Sequence, residues 1–466
     1  MRLLILLAPA LLASEPIRLH PDNPHYYLFR GKPTILLTSA EHYGAVLNGE
    51  FNYLKYLDTL KADRLNLTRA FSGVYREVPG DFGITRNTLA PADVKYVSPY
   101  ARGASGKFDL KRWNPAYWER LKKFIEAAGA RGIVVEYTLF CVYYQDRMWD
   151  LAPWKGKNNG NGIGEVPRGE VLTLKHAALV AAQEEFVKKA VLELNGYDNL
   201  LFEICNEPYV TGVPDDWQRH MAKALHDAEG ALPNRHLIGQ NIANNTKKVE
   251  DPDENVSFLN FHYARPPVAV AQNYGLKRVI GLDETGFDGT LDAIYRFQAW
   301  DFLMAGGAHY NNLDYSFVVG HEDGSFLVPG TAPGGGSAGL RKQLSVTADF
   351  FDKLDFVHMA PAPDLVLGGL PEGFTARALA DAGKTCAVYL HSGRLLQNYR
   401  PRYVYRTDRQ AFPISLNLPA GRWKVEWWNT RSGAINPAES LDHAGGQAWI
   451  ASPEFTEDIA VVLRRQ

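Results

Sequence analysis

Short apolar runs recur along most of the chain, and the stretches between them carry apolar positions at helical spacing. The runs Thr34–Thr38, Arg64–Ala70, Ile133–Phe140, Leu200–Asn206, Leu237–Ile242, Ser257–His262, Val279–Asp283 and Ala308–Asp314 read as strands. The intervening periodicity predicts helices over Phe51–Lys61, Ala116–Ala130, Leu172–Leu194, Asp216–Gly230, Leu291–Met304 and Leu340–Leu354, with a less regular pair around Lys247 and Val268. Eight strand–helix repeats ending near Asp355 predict an α/β fold, a (β/α)8 TIM barrel, over a doubly wound open sheet. Helix-to-strand links are short, whereas the links after strands two, three and eight are long and rich in Gly, Pro and aromatic residues. That asymmetry is expected when one barrel face carries the working loops.

Beyond Pro361 the helical period disappears. The segments "TARAL", "CAVYLHS", "PISLNLP", "RWKVEWWNT" and "IAVVLRR" read as successive strands of an all-β sandwich. The expected organisation is therefore a barrel over 15–358 and a sandwich over 362–466. Trp427 and Trp428 could form a sugar platform, but adjacent strand residues face opposite ways, which favours packing. The first residues, "MRLLILLAPALLASEP", read as a secretory signal over 1–14, making the protein exported, periplasmic or extracellular. That apolar run is far shorter than the ~20 residues a membrane span needs.

Composition narrows the partners. The 466 residues carry a net charge of -2, with Lys and Arg spread along the chain, so no polyanion-binding stripe is visible and nucleic acid is not expected. The three cysteines, Cys141, Cys205 and Cys386, are too scattered for a disulfide framework or a zinc site.

The chemistry lies where strands end. In "FEICNEPYV" an apolar run closes on Asn206, Glu207 and Pro208, and proline cannot continue a ladder. A second carboxylate, Glu284 in "VIGLDETGF", ends strand seven. In a barrel these two face each other across the mouth, and paired carboxylates are the equipment of glycoside cleavage. Each alone could be a loop carboxylate or a helix cap, the usual fate of an acidic residue after a strand. One must be protonated and the other ionised, and the negative charge of Glu284 is expected to favour the protonated form of Glu207. Glu136 and Glu203 also sit on strands and are read as interior carboxylates with hydrogen-bond partners.

"FEICNEP" together with "GLDETG" resembles clan A of the glycoside hydrolases, most of all family 5, the cellulase-like group, over roughly residues 30 to 355. The resemblance implies a retaining β-glycosidase acting on a carbohydrate substrate, and no motif in the chain implies a cofactor or a metal. It implies Glu207 as acid/base, Glu284 as nucleophile and Asn206 as the amide for the hydroxyl beside the reacting carbon. Arg69 in "LNLTRAFSG" matches the arginine that attends the nucleophile. His262 and Tyr263 in "NFHYARP" match a histidine and a tyrosine that the family commonly separates by one residue. Tyr263 is expected near Glu284, with His262 as a sugar contact. The family's histidine near the end of strand three and its tryptophan at the end of strand eight have no counterpart. Tyr315, or Trp149 with Trp154, would then supply the sugar platform. Glu41 and His42, after strand one, could touch substrate or simply pack. The tail and the "APGGGSAGLRKQL" loop are also similar to barrel enzymes with an appended domain labelled as collagen-binding.

Other classes leave weaker marks. Gly335, Ser337 and Gly339 satisfy the G-x-S-x-G pattern of serine esterases, but a loop rather than a strand precedes Ser337. "GNGIG" at Gly160 lacks the strand and helix of a dinucleotide site, and "DPDENV" at Asp251 lacks the glycine and terminal glutamate of a calcium loop. A barrel that binds sugar without cleaving it would keep the same fold, and nothing in the residues at the strand ends signals loss of catalysis.

Overall fold

Eight parallel strands close around a common axis: β1 (Leu36–Ala40), β2 (Leu67–Phe71), β3 (Val134–Cys141), β4 (Leu200–Asn206), β5 (Ile238–Asn244), β6 (Phe258–His262), β7 (Val279–Thr285) and β8 (His309–Leu313). This computed structural model describes residues 15–40, 43–381, 383–396 and 403–466. The leader-like segment 1–14, Glu41 and His42 lie outside the described residues. The ladder runs from β2 through β3 to β8 and on to β1. The seam between β1 and β2 has no ladder and is stitched by Asn66, whose amide donates to Ile35 O (2.8 Å) and accepts from Leu37 N (2.8 Å). Nearly every strand residue is buried on both faces, as a parallel barrel sheathed in helices requires.

The sheath comprises α1 (Tyr53–Ala62), α2 (Pro115–Gly129), α3 (Ala177–Leu194), α4 (Asp215–Ala228), α5 (Val268–Asn273), α6 (Asp292–Met304) and α7 (Ala338–Phe351). Local chemistry sets their starts. Asn52 and Asn114 cap α1 and α2 by accepting from Lys55 N and Ala116 N, and Pro115 occupies the first turn, where its missing N–H costs nothing. The irregular pair expected around Lys247 and Val268 resolves into α5 alone, and residues 245–257 pass from β5 to β6 without a helix. The first strand starts two residues later than its apolar run suggested, because Thr34 belongs to a small antiparallel sheet with 18–19 and 27–29. No helix among the described residues is long and apolar enough to cross a membrane.

Among the described residues, 360–465 form antiparallel sheets of six and three strands around an apolar core that includes Val388, Leu390, Ile414, Leu416 and Trp423, with a two-stranded ribbon pairing 394–395 with 403–404. This all-β part packs on α6, which explains why that helix is buried from Ala293 to Met304, its polar residues Arg296, Gln298 and Asp301 included. Trp300 stacks on Tyr389 with ring centroids 5.2 Å apart, and Phe350 meets Trp428 edge-on at 5.4 Å. Arg296 of α6 reaches across to Asp458 (2.7 Å) and Glu457 (2.7 Å). Trp427 and Trp428 are buried, the first in the sandwich core and the second against the barrel, so the packing reading holds for both.

Candidate active site

The strand ends gather their polar side chains by bending the backbone. Strand β4 stops at Asn206, and Pro208 opens the short helix Pro208–Thr211. Between them Glu207 adopts left-handed dihedrals (φ 47°, ψ 47°), held by a hydrogen bond from its own N–H to Asn241 Oδ1 (3.2 Å). Tyr43 after β1 (φ 64°) and Tyr263 after β6 (φ 51°) are left-handed too. Such conformations cost about 1–3 kcal/mol in a non-glycine residue and persist where the surroundings over-determine them. Here they turn three side chains towards one point that regular alternation along a strand would not reach.

At that point Glu284, at the end of β7, receives three donors. Tyr263 donates to Oε1 (2.8 Å), Tyr43 to Oε2 (3.0 Å), and Arg69 Nη1 lies 3.5 Å from Oε2. Burial first, and then the charge of Glu284, pushes both tyrosines well above the ordinary phenol pKa, so both remain donors. Glu207 lies opposite. Its Oε1 faces His262 Nδ1 at 3.1 Å, Tyr144 donates to Oε2, and Tyr209 adds a longer contact to Oε1 (3.4 Å). His262 stands between the two carboxylates, since Nδ1 is also 3.5 Å from Glu284 Oε1.

This wedge reverses one expectation. Burial would lower the pKa of His262, but the charges of Glu284 and Asp283, the close approach of Asp283 (3.5 Å) and the hydrogen bond with Glu207 hold it well above the ordinary histidine value. Burial would likewise raise Glu207, yet the hydrogen bond and charge of His262, followed by Tyr144, bring it below the usual carboxylate range. Glu207 is therefore not driven to its protonated form by Glu284 alone. The proton resides on the His262–Glu207 pair, whose members titrate together.

Beneath the pair lies a second polar layer. Arg69 donates to Glu203 and to Asn206 Oδ1 (2.8 Å), and it lies 3.2 Å from Asp283 and 3.9 Å from Glu136. Asn206 in turn donates to Tyr144 Oη (2.9 Å). Asp283 Oδ1 lies 3.5 Å from His262 Nε2 and so faces the imidazole from the side away from Glu207. Glu136 and Glu203 are interior residues as expected, both accepting from Asn260. Two trios could offer a metal ion three ligand atoms within 4.8 Å of one another: Glu207 with His262 and Glu284, and Glu136 with Glu203 and Asp283. In both, the cationic role is already met from inside the protein, by the imidazole between the glutamates and by the Arg69 guanidinium below them.

The structure thus brings Asn206, Glu207, Arg69, His262, Tyr263 and Glu284 together. It corrects His262, which is fully enclosed and meets the two glutamates instead of standing open as a sugar contact. Both His262 and Tyr263 face the site, although they are adjacent, because the left-handed turn at Tyr263 breaks the alternation. Trp149 and Trp154 are corrected as well. They are 2 % and 0 % exposed, with Trp149 packed on Tyr143 (4.9 Å) and donating to Val166 O, and Trp154 bonded to Tyr100 Oη, so neither offers a ring face. Tyr315 sits beside Phe287 near Glu284, whose charge helps hold its phenol well above the ordinary value after burial. Ser337 accepts from Leu340 N as the cap of α7 and donates to Asp292 (2.9 Å), a helix start in place of a nucleophile elbow.

The strand-end motifs did not single out Tyr43, Tyr144, Tyr209 or Asp283. The only sequence signal for Tyr144 was a tyrosine pair just past β3. Asp283 was hidden by lying next to Glu284 on a strand whose regular alternation would send it elsewhere.

No family model and no curated protein matches the sequence. Among solved structures the chain is similar to one described as a glycoside hydrolase, at 12% identity and a TM-score of 0.63, over 97% of each chain. It is equally similar to a glycoside hydrolase family 5 protein from Bacteroides vulgatus, at 13% identity and a TM-score of 0.63, over 97% of this chain and 95% of that one. At these identities the likeness is one of fold, and it extends over the barrel and the all-β part together.

Proposed function

We propose that the protein is a retaining β-glycoside hydrolase of the clan A, family 5 type, with a catalytic barrel over 15–358 and an accessory sandwich over 362–466. The observation that carries this reading is the placement of Glu207 and Glu284 on the rims of β4 and β7 with one carboxylate oxygen of each within 4.8 Å. That proximity favours the ~5–5.5 Å carboxyl spacing of retaining enzymes over the ~6.5–9.5 Å that leaves room for a water in inverting ones. The solved structures that share the fold are described as glycoside hydrolases, which points the same way.

In this mechanism Glu284, aligned by Tyr263, Tyr43 and Arg69, attacks the anomeric carbon while Glu207 protonates the departing glycosidic oxygen. The His262–Glu207 pair supplies that proton. As Glu284 forms its ester bond it loses the charge that most favours the imidazolium, so the proton moves from His262 Nδ1 to Glu207 and on to the leaving group. In the second half Glu207 takes a proton from the water that releases the sugar. Asn206, beside Glu207, is placed to bind the neighbouring hydroxyl, and Tyr315 is the remaining candidate for a sugar-facing ring.

The test is reducing-sugar release from a panel of β-linked polysaccharides, oligosaccharides and aryl glycosides, with the anomer of the first product followed by NMR. Wild type is expected to release sugar with retained configuration, and Glu284→Gln to release none. Inversion would remove Glu284 as nucleophile. A wild type that binds members of the panel without cleaving any would replace the enzyme with a sugar-binding barrel.

A further inference from the structure

A crevice of about 270 Å³ opens between the barrel and the sandwich, away from the catalytic pair. Its walls include Arg265 after β6, Phe297 and Asp301 on α6, and Arg377, His391 and Arg394 from the sandwich. Buried polar atoms almost always find a hydrogen bond, and those that do not call for an explanation such as a bound group. Several atoms without a well-aligned hydrogen bond collect on this one crevice: Asp301 Oδ1, Arg377 Nε, both ring nitrogens of His391, and Arg265 Nε, which Asp288 Oδ2 already approaches at 2.5 Å. Arg377 Nε lies 2.8 Å from Asp301 Oδ1 and His391 Nε2 lies 3.3 Å from it, so these are ion-pair contacts made out of line for hydrogen bonding. His391 Nδ1 has neither kind of partner, although the residue is only 5 % exposed. Phe297 and Tyr389 stack against the imidazole, at 5.8 Å and 5.3 Å, which leaves the ring edge as its only route to a hydrogen bond.

The charges specify what would satisfy these atoms. Arg265 is matched by Asp288 (2.6 Å) and Arg377 by Asp301, whereas Arg394 has no ion partner among the described residues. The walls therefore hold one unmatched cation and more donors than acceptors, and Asp301 Oδ2, which takes a single long hydrogen bond from Arg377 (3.4 Å), keeps a lone pair for a hydroxyl. The volume is below the ~300–1,000 Å³ of sites for drug-sized ligands, which limits the occupant to about one ring.

We propose that this crevice binds a single carboxylate-bearing sugar unit, a uronate. Its carboxylate meets Arg394 and the edge of His391, and a hydroxyl donates to Asp301. Guanidinium groups suit carboxylates because they remain charged and present several donors. This second site does not depend on the glycosidase reading, since none of its walls belongs to the catalytic pair.

Calorimetric titration of the full chain with D-glucuronate and D-galacturonate tests the proposal, with glucose and inorganic sulfate as neutral and simple-anion controls. Arg394 is exposed and makes no ion pair among the described residues, so Arg394→Ala should fold normally. Binding of one of the uronates is expected. It should weaken by about tenfold or more in Arg394→Ala, as loss of a charge-assisted contact does, and remain unchanged in Glu284→Gln. Equal binding of sulfate would reduce the site to a general anion site, and equal binding of glucose would remove the role of the carboxylate. Binding lost in Glu284→Gln but kept in Arg394→Ala would locate the sugar in the barrel mouth. No binding at all would mean that ordered water satisfies the crevice. Each of these four results overturns the proposal.

Discussion

Two arginines, Arg69 in the barrel and Arg296 at the sandwich, are almost completely buried and clasped by carboxylates, yet their surroundings are built differently. Arg296 meets Asp458 and Glu457, with Gln343 as a neutral third partner and Tyr389 donating to Asp458. One of those carboxylates also approaches Arg431 (3.9 Å), so positive and negative charge nearly balance. Arg69 faces four carboxylates, Glu136, Glu203, Asp283 and Glu284, and the count of negative groups rises again with Glu207. An excess of buried negative charge favours bound protons, which is why the pKa of His262, between the glutamates, is held well above the ordinary histidine value. A balanced cluster joins two parts of a fold, and an unbalanced one stores a titratable proton.

The largest effect expected is on stability, at the balanced cluster. Arg296→Ala leaves Asp458 buried without its cation and should cost about 3–5 kcal/mol in urea or thermal unfolding. The activity of the molecules that remain folded should stay within about twofold, because none of the described residues at the barrel mouth touches Arg296. A loss of kcat with little loss of stability would erase the distinction between the clusters. The next effect falls at the unbalanced cluster. Arg69→Lys keeps the charge but cannot serve Glu203, Asn206 and Glu284 from one planar fork, and kcat/KM should drop by about a hundredfold or more. Arg296→Lys, made as the matched control, should leave kcat/KM unchanged. If both lysine variants behave alike, the fork geometry at Arg69 carries no function.

The contrast also accounts for what could be read from the chain beforehand. The eight repeats and the two glutamates were legible because each lies at the end of an apolar run, where the polar residue is local in sequence. The sandwich was legible from the loss of helical period after Pro361. The wedge of His262 was not legible. It depends on Tyr263 turning left-handed and on Asp283 lying behind the ring, and neither follows from spacing along a strand. Trp149 and Trp154 misled for a related reason. The third loop folds back over itself, with Asn159 donating to Ile163 O (2.8 Å), and it consumes its own aromatic residues as core. Tyr43 and Tyr144 reach the catalytic carboxylates through loop conformations, and residue type alone could not aim them.

The smallest effects expected are the most discriminating, because they differ in sign. The basic limb of kcat/KM against pH reports loss of the proton held by the His262–Glu207 pair. The charge of Asp283 favours the protonated imidazole, so Asp283→Asn should release that proton at lower pH and move the basic limb downwards. Tyr144 donates to Glu207 and favours its ionised form. Tyr144→Phe should therefore strengthen proton binding and move the same limb upwards, with about a tenfold loss of kcat/KM at the optimum from the missing charge-assisted hydrogen bond. Neither variant changes the carboxylates themselves, and a merely structural role for either residue would lower activity at every pH without moving the limb. Shifts in the same direction, or none, would show that the catalytic proton is not held by this pair. Opposite shifts would tie the excess negative charge around Arg69 to the acid that the chemistry needs.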